Sequence, residues 1–138
     1  MAMNKFFLNI SNHPWGQWSQ EQQNAARAIA PVIVDIPFPA VPPEADTREI
    51  EIMADQLVAD LRAGKLKLPG DSWRYARDAM VQGEHSLTAV LVRRLQDIGI
   101  TPYVATTQRQ VEIDAEGRKT SVFRFVRFRP YPLLTMGP

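Results

Sequence analysis

Short apolar runs alternate with helix-like stretches up to about residue 105, and this order is compatible with few folds. Strands are predicted at four apolar or β-branched runs, residues 5–10, 31–36, 78–83 and 102–105. Helices are predicted between them, at residues 20–29, 46–63 and 86–98. A β-α-β-α-β-α-β order requires a parallel sheet whose faces are covered by helices. The sequence therefore predicts an α/β domain with a Rossmann-like parallel core.

The second helix carries the clearest periodic pattern. Its apolar residues recur every three or four positions, at Ile50, Met53, Leu57 and Leu61, and Gly64 can end it. The first helix has a start signal instead, since Ser19 stands three residues before Gln22, as in a capping box. Both patterns favour helices with one buried face.

The C-terminal part predicts a β-hairpin. Residues 110–113 and 121–129 read as strands around the turn at 114–117, whose glycine can adopt positive φ. The last strand alternates apolar and cationic residues but changes parity at Phe125-Val126, which predicts a bulge. The bulge would place the aromatic residues on one face and Arg124, Arg127 and Arg129 on the other. These arginines either protect a solvated sheet edge or bind phosphate.

The composition is that of an ordinary folded protein, so we expect one domain over residues 1–138. The formal net charge of +1 creates no global field for duplex DNA or a membrane surface, and we expect neither as a partner. No cysteine is present, which removes thiol chemistry and fits a reducing compartment. The N-terminus lacks a signal-like apolar run, and we expect a cytoplasmic protein.

Candidate functional residues gather just after predicted strands, at the sheet edge where open α/β folds bind ligands. They are Ser11, Asn12 and His13 after the first strand, Gln82, Gly83, Glu84, His85, Ser86 and Thr88 after the third, and Thr106, Thr107 and Arg109 after the fourth. Both histidines of the chain belong to this set. The simpler alternative is that loops collect polar residues in any protein.

Several classes of chemistry are disfavoured by missing motifs. No GxGxxG or P-loop is present, and Gly83 either permits close approach of a phosphate or only makes a turn. A metal site built from His13, His85 and Glu84 would lack HExxH-type spacing, and Ser11 and Ser86 lack a GxSxG elbow. The residues thus name no cofactor and no metal.

Two tryptophans, Trp15 and Trp18, follow the first predicted strand. Indole rings at such a position either stack on nucleic-acid bases or anchor the helix that comes next. The sequence favours the packing role.

Four segments carry a family resemblance: Ser11-Asn12-His13, residues 81–86, residues 105–111 and residues 125–131. Together they resemble the small stand-alone CRISPR-associated proteins of the CARF-like ring nuclease group. The resemblance implies a CARF-like homodimer whose ligand is a cyclic oligoadenylate of type III CRISPR immunity. It also implies metal-independent ring opening by a ribose 2′-hydroxyl, which leaves a 2′,3′-cyclic phosphate.

Within that resemblance, the proton-transfer candidates are His85, His13 and Glu84, because imidazole exchanges protons near neutral pH. The ligand-binding candidates are Ser11, Asn12, Gln82, Gly83, Ser86, Thr88, Thr106, Thr107, Arg109, Arg127 and Arg129. Two alternatives stay open. The domain either binds the messenger or another nucleotide without cleaving it, or is an α/β domain with no small ligand.

Overall fold

The computed structural model describes residues 5–134. Three helices and five strands follow one another in the order β1 (Phe6–Ser11), α1 (Gln20–Ile29), β2 (Val32–Pro37), α2 (Thr47–Arg62), β3 (Ala76–Gln82), α3 (His85–Asp97), β4 (Thr101–Ile113) and β5 (Lys119–Pro130). Short 3-10 turns lie at Trp15–Gln17 and Ser72–Tyr75. The predicted mixed α/β architecture is confirmed. No helix within residues 5–134 has the length and apolar character to cross a membrane.

The five strands form one sheet in the order β2-β1-β3-β4-β5. The pairs β1–β2, β1–β3 and β3–β4 are parallel, and β5 lies antiparallel to β4 at the edge. Alternate residues of β1 point to opposite faces of the sheet and belong to two separate hydrophobic cores. Leu8 and Ile10 pack with α2 and α3, whereas Phe7 packs with α1. Helices therefore cover both faces, as parallel strands require.

Local sequence explains where the helices begin. The Ser19 hydroxyl accepts a hydrogen bond from the Gln22 amide at 3.2 Å, and the Asp46 carboxylate accepts one from the Glu49 amide at 2.8 Å. Each satisfies an amide that the first helical turn leaves free. The predicted stripe of α2 is buried at Ile50, Leu57 and Leu61.

An aromatic cluster fills the core under α1. Phe7 is fully buried and stacks on Tyr103, with ring centroids 6.1 Å apart. The rings of Trp18 and Phe128 complete the cluster, at 6.4 and 5.2 Å from Phe7. Trp18 is thus a packing anchor between β1, α1 and β5.

The largest difference from the sequence prediction concerns β4. Residues 106–109 were expected to form a polar loop, but β4 continues through them and pairs with β5 as far as Ile113 and Lys119. These residues are polar because this part of the hairpin is largely exposed to solvent. Thr106 and Thr107 also favour extended backbone.

The hairpin carries the predicted bulge. The β4–β5 register shifts between Thr106 and Thr107, so that Val126 has no residue opposite it. Directly opposed residues of an antiparallel pair share a face. Phe123, Phe125 and Phe128 therefore lie on one face, and Arg124, Arg127 and Arg129 lie on the other.

Candidate functional site

A cleft of about 390 Å³ lies at the carboxyl edge of the sheet. Chain order places β2 and β3 on opposite sides of β1, and such a switch point is where open α/β sheets bind ligands. The lining residues are Asn12, His13, Gln82, Gly83, His85, Thr88, Val104 and Tyr131. We call this the histidine cleft, because both histidines of the chain line it.

The loop that carries His13 is fixed by a buried polar network. Asn9, 1% exposed, donates from Nδ2 to Asp35 Oδ1 and to the His13 carbonyl, both at 2.8 Å. The Ser11 hydroxyl donates to Asn9 Oδ1 at 2.6 Å and accepts from the His13 amide at 3.1 Å. Ser11, a predicted ligand-binding residue, is buried and uses its hydroxyl to position His13.

The tryptophans after β1 support the same loop. Trp18 Nε1 donates to the His13 carbonyl at 2.8 Å, and the ring is only 7% exposed. The Trp15 ring packs on Trp18 and lies 4.8 Å from the Arg27 guanidinium. The geometry favours the packing role over base stacking for Trp18.

Gln82 ends β3 and continues its pairing with β4 through a side chain. The backbone ladder between β3 and β4 runs as far as Met80 and Tyr103. Two residues further, Gln82 Oε1 accepts from the Ala105 amide at 2.8 Å. This hydrogen bond holds Gln82, which lines the histidine cleft, against β4.

Gly83 is required for packing under the cleft. A Cβ at this position would lie 2.5 Å from ring carbons of Phe38, which is 6% exposed. Contacts that short do not occur between real side chains. The group that approaches Gly83 closely is a phenyl ring from the β2–α2 loop, whereas the sequence suggested either a phosphate or a simple turn.

Glu84 caps α3. Its carboxylate accepts from the Ser86 and Leu87 amides, each at 2.9 Å, and from the Ser86 hydroxyl at 2.6 Å. These bonds, led by that of the hydroxyl, hold the Glu84 pKa below its ordinary value. Two amides at the start of α3 are therefore bonded to the chain's own carboxylate, and the exposed side chains of Glu84 and Ser86 bind each other.

Replacing Glu84 with Gln should lower the melting temperature at pH 7 and make the melting temperature depend less on pH. A carboxyl group with a depressed folded-state pKa stabilises above its ordinary pKa, and this stabilisation is lost as the pH falls through the folded value. Thermal unfolding at pH 7 and at about pH 3 should show the two proteins converging in acid. Glu44→Gln, at an exposed loop position, is the control. A Glu84→Gln protein with wild-type melting at both pH values would contradict the capping role.

A second cleft, of about 490 Å³, adjoins the first between the start of α1 and the hairpin. His13 and Gln82 line both clefts, so the two lie side by side. Most side chains that line the second cleft are apolar or amide, among them Trp18, Met80, Phe123 and Phe125 with Gln17 and Gln22, and the charged Glu21 and Arg124 also line it. Such a lining suits a flat aromatic group with polar edges.

The predicted arginines divide between the two faces of the hairpin. Arg129 and Arg127 lie opposite Val104 and Thr106, on the face where Val104 lines the histidine cleft. Arg109 lies opposite Phe123, on the face of the second cleft, and its guanidinium donates to the Ser121 hydroxyl at 2.8 and 3.0 Å. Thr107 lines the second cleft, whereas the Thr106 hydroxyl bonds to Arg127 backbone.

Tyr131, Val104 and Thr88 also line the histidine cleft. Tyr131 and Val104 were not expected at the site, although Tyr131 belongs to one of the resembling segments. Tyr131 donates its hydroxyl to the Val81 carbonyl at 2.8 Å, and burial raises its pKa. The Thr88 hydroxyl oxygen is buried and has no hydrogen-bond partner among residues 5–134.

Fold and site together define an α/β protein with a double cleft at the carboxyl edge of its sheet. The chain belongs to the uncharacterized protein MJ1673 family, whose model matches residues 5–129. No curated protein and no solved structure matches it. Within the described part of the chain, no three His, Asp or Glu side chains cluster as metal ligands.

Proposed function

We propose that the protein is a CARF-like ring nuclease that binds a cyclic oligoadenylate, in the first place the tetra-adenylate, and opens the ring without a metal. The observation that carries the proposal is the meeting of both histidines in one cleft at the switch point of the sheet. The segments that meet there, after β1 and after β3, are two of those that resemble the ring nuclease group.

The reaction requires positioning and proton transfer. A ribose 2′-oxygen attacks the adjoining phosphorus and the bond from phosphorus to the 5′-oxygen breaks, which leaves a 2′,3′-cyclic phosphate and a 5′-hydroxyl. One base accepts the 2′-proton and one acid supplies a proton to the leaving oxygen. His85 is our first candidate for this chemistry and His13 the second, and alignment of the attacking oxygen supplies much of the remaining rate.

Charge and hydrogen-bonding groups around the cleft suit a phosphate. Arg127 and Arg129 lie on the strand face that borders it, and guanidinium groups pair well with phosphate oxygens. A ring that fills both clefts would contact both faces of the hairpin. Arg109 therefore remains a proposed phosphate ligand on the face of the second cleft.

The second cleft suits an adenine base. Phe123 and Phe125 offer ring surfaces for stacking, and Gln17 and Gln22 offer amide groups for the base edge. A ring with rotational symmetry is most simply held across a two-fold axis that presents the same clefts twice. The proposed active form is therefore a homodimer.

One observation favours a second candidate, a module that binds the messenger without cleaving it. Negative charge that develops on the phosphate in the transition state is stabilised by hydrogen-bond donors that have no other partner. The Ser86 and Leu87 amides, at the start of α3, are bonded to Glu84. With these donors occupied, the cleft would hold the ring but stabilise the transition state less.

Incubation with cyclic tetra-adenylate separates these functions. We expect a linear product ending in a 2′,3′-cyclic phosphate, detected by chromatography and mass spectrometry, with an unchanged rate in excess EDTA. Calorimetric titration at several salt concentrations should show binding that weakens as salt rises. Binding without product would favour the non-catalytic module, and the absence of binding would contradict both proposals.

A further inference from the structure

The β4–β5 hairpin extends beyond the sheet as an arm, which we define as residues 104–130. Pairing between β3 and β4 ends at Tyr103, so the arm consists of two strands and a turn. β4 runs parallel to β1 and β3, and the arm therefore leaves the sheet at the same carboxyl edge as the clefts. The ten residues from Val104 to Ile113 span about 30 Å at the usual rise of a strand.

One face of the arm is apolar and exposed. Val111, Ile113 and Phe123 are 59, 68 and 65% exposed. The register places all three on the same face, because Val111 and Ile113 lie two and four positions after Arg109, and Arg109 lies opposite Phe123. This face continues inward to Phe125 and the buried Phe128. The exposed stripe is thus an outward extension of the aromatic core.

The other face of the arm is polar. Arg124 bonds to Gln110 and lies 3.2 Å from the Glu112 carboxylate. A two-stranded ribbon with both faces in water is marginally stable, and an apolar face on such a ribbon favours a covered state.

Charge indicates what covers the arm. The arm holds six arginines and lysines against three acidic residues, whereas the rest of the chain holds ten against twelve. Two arms packed together would bring positive charge onto positive charge, and an arm packed on the rest of a second copy brings opposite signs together. The charge distribution therefore favours contact between the arm of one copy and the body of another.

We propose that two copies of this chain exchange arms, each packing the apolar face of its arm on the body of the other beside the clefts. One arm face covers about 300 Å², from strand length and spacing, which is less than the roughly 800 Å² that each partner buries in a standard interface. Reciprocal exchange doubles this to about 600 Å² per partner, at the lower end of the standard range, and closes the dimer. The inference deepens the proposed function, which needs two copies, but it is tested without any nucleotide.

The exchange also bears on the site. Phe123 and Phe125 belong to the arm and line the second cleft. This side of the second cleft is therefore formed by a segment that packs on the partner copy. A lone copy keeps the histidine cleft but holds the wall of the second cleft less firmly.

The test is the oligomeric state in the absence of nucleotide. Light scattering and sedimentation should give the wild-type chain twice its 15.6 kDa mass. Val111→Thr with Phe123→Thr keeps strand-favouring residues but removes apolar surface, and it should raise the dimer dissociation constant by about tenfold or more. Ile113→Lys, near the tip of the arm, should do the same without touching the cores.

Ile52→Thr is the matched control, because Ile52 is an apolar residue on α2 that is 53% exposed. It should leave the dimer unchanged, and circular dichroism should show all variants folded. A wild-type monomer, or a dimer whose dissociation constant none of the arm variants changes, would overturn the inference. A stable arm-dependent dimer that fails to cleave the ring would contradict the proposed function alone.

Discussion

Under the proposed function, replacing His85 with alanine is expected to slow single-turnover cleavage of cyclic tetra-adenylate by about 100-fold or more, while the affinity for the ring changes little. His85 is the first residue of α3, and its exposed side chain lines the histidine cleft, beside the proposed position of the ring. Loss of the imidazole removes a proton carrier and leaves the phosphate-binding groups in place. Rapid-quench measurement with enzyme in excess isolates the chemical step.

His13→Ala provides the comparison, because His13 lines the same cleft from the loop after β1. Gln56→Ala on the exposed side of α2 serves as the inert control. A pH–rate profile that loses one limb in either histidine variant would identify which residue acts as acid or base. Wild-type rates in both histidine variants would assign the histidines a structural role and leave catalysis to positioning.

Gly83→Ala is expected to lower the free energy of unfolding by about 1–3 kcal/mol, as overpacking of a buried contact does. The new Cβ would meet the Phe38 ring at 2.5 Å. Backbone conformation adds nothing to this cost, because Gly83 is not among the glycines with positive φ. Urea unfolding followed by far-ultraviolet circular dichroism measures the change.

Two further proteins isolate the steric cause. Gly16→Ala should be nearly neutral, because nothing lies within 4 Å of a Cβ built there. Phe38→Leu replaces the phenyl ring that the new methyl group meets by a smaller side chain. Gly83→Ala should therefore lower the free energy of unfolding less in the Phe38→Leu protein than in the wild type. Equal costs in the two backgrounds would show that Phe38 is not the reason for a glycine at position 83.

The helices and the parallel core could be predicted because their signals are local. Ser19 and Asp46 lie directly before the helices they cap, and the α2 stripe needs only the helical period. The bulge near Val126 was predictable for the same reason, from a change of parity within one strand. The histidine cleft followed from a general rule about strand ends, which brought Asn12, His13 and His85 together.

What the sequence did not predict depends on contacts between distant residues. The polarity of residues 106–109 indicated a loop, yet it reflects a hairpin exposed to solvent. The roles of Ser11 and Glu84 are set by the groups they bond, and the partner of Gly83 lies 45 positions away at Phe38. Residue type alone does not distinguish a ligand-binding hydroxyl or carboxylate from one that holds a loop or caps a helix.

The short turn of the arm has a consequence for the order in which the molecule forms. Joining Ile113 to Lys119 closes a loop of five residues, whereas joining Phe6 to Ala76 closes one of about seventy, at an entropic cost roughly 2 kcal/mol greater. The hairpin is therefore the strand pair that a complete unfolded chain can close at the lowest entropic cost. We expect the parallel strands that carry the clefts to pair later, against an edge already in place.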